Sequence, residues 1–199
     1  MWTWRAVGVN AEAAKREESL FTLSDGILGW RGNYEEGVAP GYPTIHGCYL
    51  NGFYEQEKIR YGEIAYGYAE NSQTMLNVTD SQRIHLRCKG QPLVFGPEGV
   101  ISSVRQLDLR AGTVTRETVY HIPGGSLTLR SARLVSLARQ GVAAIRWQLT
   151  ADTSCEVELT PVLNGDVTNR IVTDDPRVGS GLKGRVLSQP ILRRDDDGS

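Results

Sequence analysis

The stretch VAAIRWQLTA (Val142–Ala151) alternates apolar and polar residues with a period of two. Such a pattern is typical of a β-strand that has one buried and one exposed face. The apolar face would carry Ala143, Ile145, Trp147 and Leu149, against Arg146, Gln148 and Thr150 on the other. The segments SCEVELTPVL (154–163) and RIHLRC (83–88) alternate in the same way. A repeated half-buried strand predicts a β-sheet with one face on a core.

Turn sequences separate these segments at short intervals and favour an antiparallel arrangement. Asp25-Gly26 is a strong hairpin dipeptide, and Lys89-Gly90, Ala111-Gly112 and Pro123-Gly124 serve similarly. One short surface helix is predicted at NAEAAKREE (10–18), where Asn10 can cap it. We therefore predict an all-β, mainly antiparallel β-sandwich with one short N-terminal helix.

Two later segments complete this prediction. In LTLRSARLVSL (127–137), Leu127 and Leu129 share a face but Leu134 falls on the other, so we expect a bulge or a strand bend near Ser131. From Asp174 onward we expect a long loop followed by one strand at RVLSQPILR (185–193).

Composition excludes several classes of protein. The 199 residues are 40% hydrophobic and carry a formal net charge of −1, so a sizeable core is possible and a basic nucleic-acid footprint is lacking. Neither a secretory leader nor an apolar run of about 20 residues is evident, which predicts a cytoplasmic protein without a membrane segment. Three cysteines without CxxC spacing, and three scattered histidines, predict neither a disulfide framework nor a metal site.

The stretch SLFTLSDGILGWRGNYEEG (19–37) holds the most suggestive chemistry, because Glu35 and Glu36 could resemble the carboxylate pair of a glycosidase. Adjacent residues of an extended chain point to opposite faces, so we do not expect them to act as an acid–base pair. Asp25-Gly26 would form a hairpin turn, and Gly29 and Gly32 would allow a bend or a close backbone approach.

The segment HGCYLNGFYEQEKIRYGEIAYGYAE (46–70) is rich in tyrosine. Tyrosine rings could stack on sugars, or they could cover a sheet or form a protein interface. The sequence favours a covering or interface role and leaves a carbohydrate surface open.

Several blocks together resemble glycoside hydrolase family 65, which includes maltose, kojibiose and trehalose phosphorylases. They are ESLFTLSDGILGWRGNYEEG, YLNGFYE, YGEIAYG, TMLNVTDSQRIHLRCKGQPL, VRQLDLRAGTVTRE and RLVSLARQGVAAIRWQLTA, in the family's order between Glu18 and about Asn169. One departure is Ser24-Asp25-Gly26, where the family typically has Gly-Asn-Gly. Asp-Gly also suits a tight turn, so the departure changes little.

The resemblance implies an N-terminal β-sandwich of the galactose-mutarotase-like type, followed in the family by a helical linker, a catalytic barrel of paired helices and a small β-domain. It also implies an inverting mechanism in which a barrel glutamate is the general acid. Inorganic phosphate, or water in hydrolase members, then attacks the sugar, and no other cofactor is needed. We thus expect residues 1–199 to be one β-sandwich domain, incomplete relative to the family, without catalytic residues of its own.

The resemblance further implies a role in supporting the barrel and the mouth of its active site, and in homodimer contacts. The substrate would be a disaccharide. Candidates for lining the substrate mouth are Trp30, Arg31, Asn33 and Glu35, and candidates for an interface are Tyr34, Phe53 and Tyr54. The rival hypothesis is a free-standing carbohydrate-binding module that uses surface tyrosine and tryptophan residues. We expect no catalytic activity from this chain alone.

Overall fold

The computed structural model describes residues 2–59, 61–63, 65–169 and 186. Within them the chain forms one helix, α1 (Ala14–Leu20), and twelve strands. The strands are β1 (Thr3–Val7), β2 (Leu23–Ser24), β3 (Leu28–Trp30), β4 (Cys48–Lys58), β5 (Asn71–Asn77), β6 (Ile84–Cys88), β7 (Gln91–Leu93), β8 (Val100–Asp108), β9 (Thr113–Ile122), β10 (Gly125–Val135), β11 (Ala143–Ala151) and β12 (Val157–Pro161). The strand predicted at residues 185–193 lies outside the described residues except for Val186.

The strands pair into three antiparallel sheets that make two layers. One layer is a five-stranded sheet in the order β1-β8-β9-β10-β11. A four-stranded sheet, β2-β3-β4-β5, and a three-stranded sheet, β12-β6-β7, form the other layer. Residues of both small sheets share apolar clusters with the inner face of the five-stranded sheet. The predicted all-β antiparallel sandwich is confirmed.

Two separate apolar clusters fill the space between the layers. In the first, residues of the four-stranded sheet such as Trp30 and Cys48 pack with Leu107 and Val135. In the second, Leu86 and Cys88 of the three-stranded sheet pack with a set on the larger sheet that comprises Tyr120, Ile122, Leu127 and Leu129. The core is therefore divided, and polar side chains occupy the region between its halves.

The short helix is confirmed, but its environment differs from the prediction. The prediction that Asn10 caps the helix is wrong, because α1 begins at Ala14 and its N-cap residue is Ala13; the Asn10 side chain instead accepts a hydrogen bond from the Ala13 backbone N–H at 3.1 Å. Glu18 is only 1% exposed, which makes the prediction of a surface helix wrong for this residue. Periodicity alone did not reveal the partners that make burial of this carboxylate possible.

The bulge expected near Ser131 is absent, because β10 keeps a continuous register with β9 and with β11. Ser131 and Arg133 follow Leu127 and Leu129 on the buried face, while Leu134 is 37% exposed. The prediction failed because it treated apolar character as the mark of the inner face. An irregularity lies instead in β4, between Tyr49 and Tyr54, where Gly52 has φ +101°.

The hairpin at Asp25-Gly26 is confirmed and joins β2 to β3. Asp25 Oδ1 accepts from the backbone N–H groups of Ile27 and Leu28, and Gly26 adopts φ +90°. The hairpins at residues 89–90, 111–112 and 123–124 also connect neighbouring strands. No helix in the described part of the chain is long and apolar enough to cross a membrane.

Gly32→Ala is expected to lower the free energy of unfolding by about 1–3 kcal/mol, the usual cost of overpacking. A Cβ at this position would lie 2.7 Å from the Glu18 carbonyl oxygen and 2.8 Å from Phe21 Cβ. Gly29→Ala is the matched control, because its Cβ would meet nothing closer than 3.8 Å. Urea denaturation of both variants measures the difference, and equal stability of the two would contradict close approach at Gly32.

Candidate functional site

A band of polar side chains crosses the inner face of the five-stranded sheet between the two apolar clusters. Arg105 on β8 lies directly opposite Arg116 on β9, and Arg133 follows on β10. All three arginines are at most 4% exposed. Like charges opposite one another on a sheet repel, so this band needs acceptors from elsewhere in the chain.

The loop of residues 31–37, which follows β3, provides those acceptors. Its backbone turns at Tyr34–Gly37, where the Gly37 N–H donates to the Tyr34 carbonyl at 3.0 Å and Gly37 has φ +87°. Glu35 and Glu36 occupy the centre of this turn, so the premise that they lie on an extended chain is wrong. Both carboxylates point to one guanidinium, that of Arg116.

The hydrogen bonds of Arg116 use most of the N–H donors of its guanidinium. Its Nη1 and Nη2 donate to the two carboxylate oxygens of Glu36, both at 2.6 Å. Nη2 also donates to Glu35 Oε2 at 2.7 Å, and Nη1 to Thr118 Oγ1 at 3.2 Å. The Tyr120 hydroxyl donates to Glu36 Oε1. This two-pronged pairing of guanidinium with carboxylate is the strongest geometry available to an arginine.

The other two arginines hold the backbone of the same loop. Arg133 Nη1 donates to the Asn33 carbonyl at 2.8 Å and lies 3.5 Å from Glu35 Oε1. Arg105 Nη1 donates to the Gly32 carbonyl at 2.6 Å. The loop is thereby fixed through carbonyl oxygens as well as carboxylates.

Aromatic rings close one side of the band. The Tyr34 ring stacks on Phe95 with centroids 3.6 Å apart. The Arg105 guanidinium lies 4.1 Å from the centroid of Phe21 and 4.6 Å from that of Tyr34. Such cation–π contacts stabilise a charge that has been removed from water.

The buried carboxylates and guanidinium groups of the band stabilise one another in their charged forms. Burial would raise the pKa of Glu35, but the guanidinium groups of Arg116 and Arg133 outweigh burial and hold its pKa below the ordinary 4.5. Burial opposes the charge of Arg116, yet the carboxylates of Glu36 and Glu35 raise its pKa well above the ordinary value. Burial lowers the pKa of Arg133 to about 10, which still leaves it protonated at neutral pH.

A glycosidase general acid requires a raised carboxyl pKa and access to a substrate oxygen. Glu35 has a lowered pKa and is 2% exposed, with both oxygens occupied by arginines. The arrangement is suited to hold a loop in place rather than to transfer a proton.

A second buried carboxylate, Glu18, ties α1 to two loops. Its Oε1 accepts from Asn33 Nδ2 at 3.0 Å and from the Thr44 hydroxyl, while Oε2 accepts from the Ile45 N–H at 2.7 Å. Arg31 Nη2 lies 3.8 Å from Oε2. The helix therefore anchors the loop of residues 31–37 at its start.

The four residues predicted to line a substrate mouth lie near one another, but most of the surface of their side chains is covered by other residues of this chain. Trp30 and Asn33 are each 5% exposed, and Trp30 Nε1 donates to Ser81 Oγ at 3.1 Å. Glu35 belongs to the arginine band. Arg31 keeps the most solvent access, with 16% of its side chain exposed. A role at a substrate mouth stays a prediction for all four.

The predicted interface residues separate into two environments. Tyr34 is 7% exposed and packs inside the domain. Phe53 and Tyr54, at 54% and 36% exposed, lie on β4, whose residues from Asn51 onward are mostly exposed. We call the described residues of the β4–β5 hairpin (51–59, 61–63 and 65–75) the aromatic arm, because they include the exposed Tyr66 and Tyr68.

Sequence reasoning missed Arg105, Arg116, Arg133 and Glu18. A signal for Arg133 was available, since it continues the period of two from Leu127 and Leu129 to Val135. Partners separated from the arginines by 80 or more residues could not be read from spacing.

No group of histidine, cysteine, aspartate and glutamate residues in the described ranges could hold a metal ion. The three cysteines are free thiols.

Glu36→Gln is expected to lower the free energy of unfolding by about 3–5 kcal/mol, the usual cost of breaking a buried ion pair. The matched control is Glu117→Gln, because Glu117 contacts Arg130 at 2.6 Å but both side chains are at least half exposed. Exposed pairs contribute roughly 0–1 kcal/mol. Chemical denaturation tests this, and similar losses in the two variants would refute the importance of burial.

The lowered pKa of Glu35 predicts a pH dependence of stability. Above the ordinary pKa of 4.5 the carboxyl is ionised in both states, and its full stabilisation is present. As pH falls from 4.5 through the folded-state pKa, the unfolded chain binds the proton first, so this stabilisation is lost. The wild-type advantage over Glu35→Gln should be constant above pH 4.5 and shrink below it. Urea denaturation across that range measures it, and an advantage that grows in acid would reverse the assigned sign.

Comparison with known proteins places this architecture in a family. The chain is 36% identical over 189 residues to an alpha,alpha-trehalose phosphorylase of Thermoanaerobacter brockii, covering 94% of this chain and 24% of that protein. It is 29% identical over 171 residues to a maltose phosphorylase of Bacillus subtilis, covering 84% of this chain and 22% of that protein. The chain thus spans about a quarter of the length of the curated relatives it matches.

A solved structure assigned as a kojibiose phosphorylase from the human microbiome shares the fold, with a TM-score of 0.75 at 18% identity. The match covers 84% of this chain and 22% of that chain. The sequence profile described as "Glycosyl hydrolase family 65, N-terminal domain" matches residues 4–198. With its sandwich fold and these relatives, the chain belongs to glycosyl hydrolase family 65, as the N-terminal domain.

Proposed function

We propose that this chain is the non-catalytic N-terminal sandwich of a disaccharide phosphorylase or hydrolase that acts on α-glucosides. One observation carries the non-catalytic part of the proposal: Glu35 and Glu36, the candidate carboxylate pair, are buried and bound to arginines of the same chain. Relatives named as trehalose and maltose phosphorylases, about four times as long, support the parent activity. Inorganic phosphate is then the co-substrate of the parent protein if it is a phosphorylase.

Within the polypeptide, the partner of the domain is the catalytic barrel. Two copies of the whole protein form a homodimer. The exposed aromatic arm supports this part, since Phe53 and Tyr54 offer rigid aromatic area of the kind enriched at interfaces. Arg31, Asn33 and Glu35 lie in the loop of residues 31–37 and Trp30 ends the strand before it, and by fixing this loop the four residues help to shape the substrate mouth. A cytoplasmic location accompanies this function.

The second candidate function is a free-standing carbohydrate-binding module. Exposed tyrosines on the arm favour it, because Tyr61 and Tyr68 lie with ring centroids 4.9 Å apart and Tyr68 is 54% exposed. Paired aromatic rings can present a platform for a sugar face.

Calorimetric titration of the purified 199-residue chain with maltose, kojibiose and trehalose separates the two functions. The scaffold function predicts no saturable binding and no phosphate-dependent release of sugar 1-phosphate. Millimolar or tighter binding that is lost in Tyr68→Ser would establish the module instead. Sequencing the open reading frame beyond Ser199 provides the independent check, because the proposal requires a catalytic barrel downstream.

The homodimer gives a further prediction for the full-length parent. The double substitution Phe53→Ser and Tyr54→Ser should shift the dimer toward monomer in light scattering, because it removes the exposed rings of β4. Leu137→Ser is the control, since Leu137 is 76% exposed but lies outside the arm. A dimer that persists in the double variant would exclude these residues from the interface.

A further inference from the structure

The outer face of the five-stranded sheet carries a row of five residues, one from each strand. Register places Arg5 beside Gln106, Gln106 beside Thr115, Thr115 beside Ala132, and Ala132 beside Arg146. The two arginines stand on the edge strands β1 and β11. The small side chains of Thr115 and Ala132 lie between them and leave a hollow at the centre of the sheet.

A neighbouring row bounds the hollow on one side. There Glu117 and Gln148 flank Arg130 on the adjacent strands. Arg130 Nε donates to Glu117 Oε2 at 2.6 Å, so these two charges compensate one another. The two rows line an open groove of about 440 Å³ on this face. Grooves of roughly 300–1,000 Å³ are the size that holds small molecules.

The charge of the groove is unbalanced. Three arginines point outward at its rim, and Glu117 is the one carboxylate among the described lining residues. Glu117 is paired with Arg130, and the ion pairs within the described part of the chain do not include Arg5 or Arg146. The inner-face arginines differ, since each of them contacts a carboxylate of the same chain. A local excess of positive charge in a protein of net charge −1 favours an anionic ligand.

The spacing allows both free arginines to approach one ligand. Neighbouring strands lie about 4.8 Å apart, so the backbones of β1 and β11 are separated by about 19 Å across the sheet. Long arginine side chains can lean inward over the small central residues from both ends. Guanidinium groups match phosphate oxygens through paired hydrogen bonds, and two of them balance a dianion.

The other donors also suit an oxygen-rich ligand. Thr115 can donate from its hydroxyl, while Gln106 and Gln148 can donate from their amides. No aromatic ring lines the groove among the described residues. Recognition of a neutral sugar by stacking is therefore disfavoured relative to recognition of a charged group.

We propose that this outer groove binds the phosphoryl group of a small phosphate ester or of inorganic phosphate, with Arg5 and Arg146 as its principal ligands. This site lies on the sheet face opposite the buried arginine band and is separate from the scaffold function proposed above.

The test is calorimetric titration of the 199-residue chain at low ionic strength with inorganic phosphate, glucose 1-phosphate, glucose 6-phosphate and uncharged glucose. We expect saturable binding of the phosphate-bearing probes and none of glucose. In the double variant Arg5→Gln and Arg146→Gln, affinity should fall about tenfold or more, the equivalent of losing one charge-assisted hydrogen bond. Preference for a sugar phosphate over inorganic phosphate would identify the ester as the ligand, and the reverse preference would identify the free ion.

Arg139→Gln is the matched control, because Arg139 is exposed and lies outside the groove. Thermal denaturation of each variant verifies the fold, and the replaced groove arginines are exposed, so no loss of folding is expected. The proposal is overturned by the absence of saturable phosphate binding, by equal losses in Arg139→Gln and the double variant, or by binding of glucose as tight as that of its phosphates. These results do not depend on catalysis, so they stand apart from any failure of the scaffold function.

Discussion

The packing of this domain depends on the burial of Arg116. Removing a guanidinium from water costs several kcal/mol unless nearby groups compensate it fully. Here the compensation comes from Glu35 and Glu36, in a loop 80 residues earlier in the chain. Burial of the inner face of the five-stranded sheet therefore depends on the contacts of that loop, and these contacts join the two layers.

The loop also connects the two small sheets. At its start the Arg31 N–H donates to the Gly47 carbonyl, next to the four-stranded sheet. Farther along, the Glu35 carbonyl accepts from the Ile84 N–H and the Gly37 carbonyl accepts from the Phe95 N–H, on the side of the three-stranded sheet. The polar band therefore lies between the two apolar clusters of the core and contacts elements of all three sheets. A continuous core would have apolar contacts in this region. The band has directional polar contacts there instead, and these fix the positions of three sheets.

Both faces of the five-stranded sheet carry arginines, but the arginines of the two faces have different environments. Each arginine of the inner face contacts a carboxylate of the same chain, so these arginines are structural. Arg5 and Arg146 on the outer face have no counter-charge within the described residues, so their charge is available to something else. The carboxylates of Glu35 and Glu36 are occupied by arginines of the same chain, which agrees with the place of this chain as the N-terminal part of longer family members.

The sequence by itself determined the strand character, the antiparallel class, the hairpin at Asp25-Gly26 and the family, because alternation, turn residues and ordered motifs are local properties. It failed at Ser131 and Glu18, where inward-facing polar residues were taken for a bulge or a surface. It also assumed an extended backbone at Glu35 and Glu36 where a turn occurs, although the expectation that they are not an acid–base pair does not depend on that premise. Only the tertiary structure decided which charges are buried together, because compensation of a buried charge depends on partners that are distant in sequence and close in space.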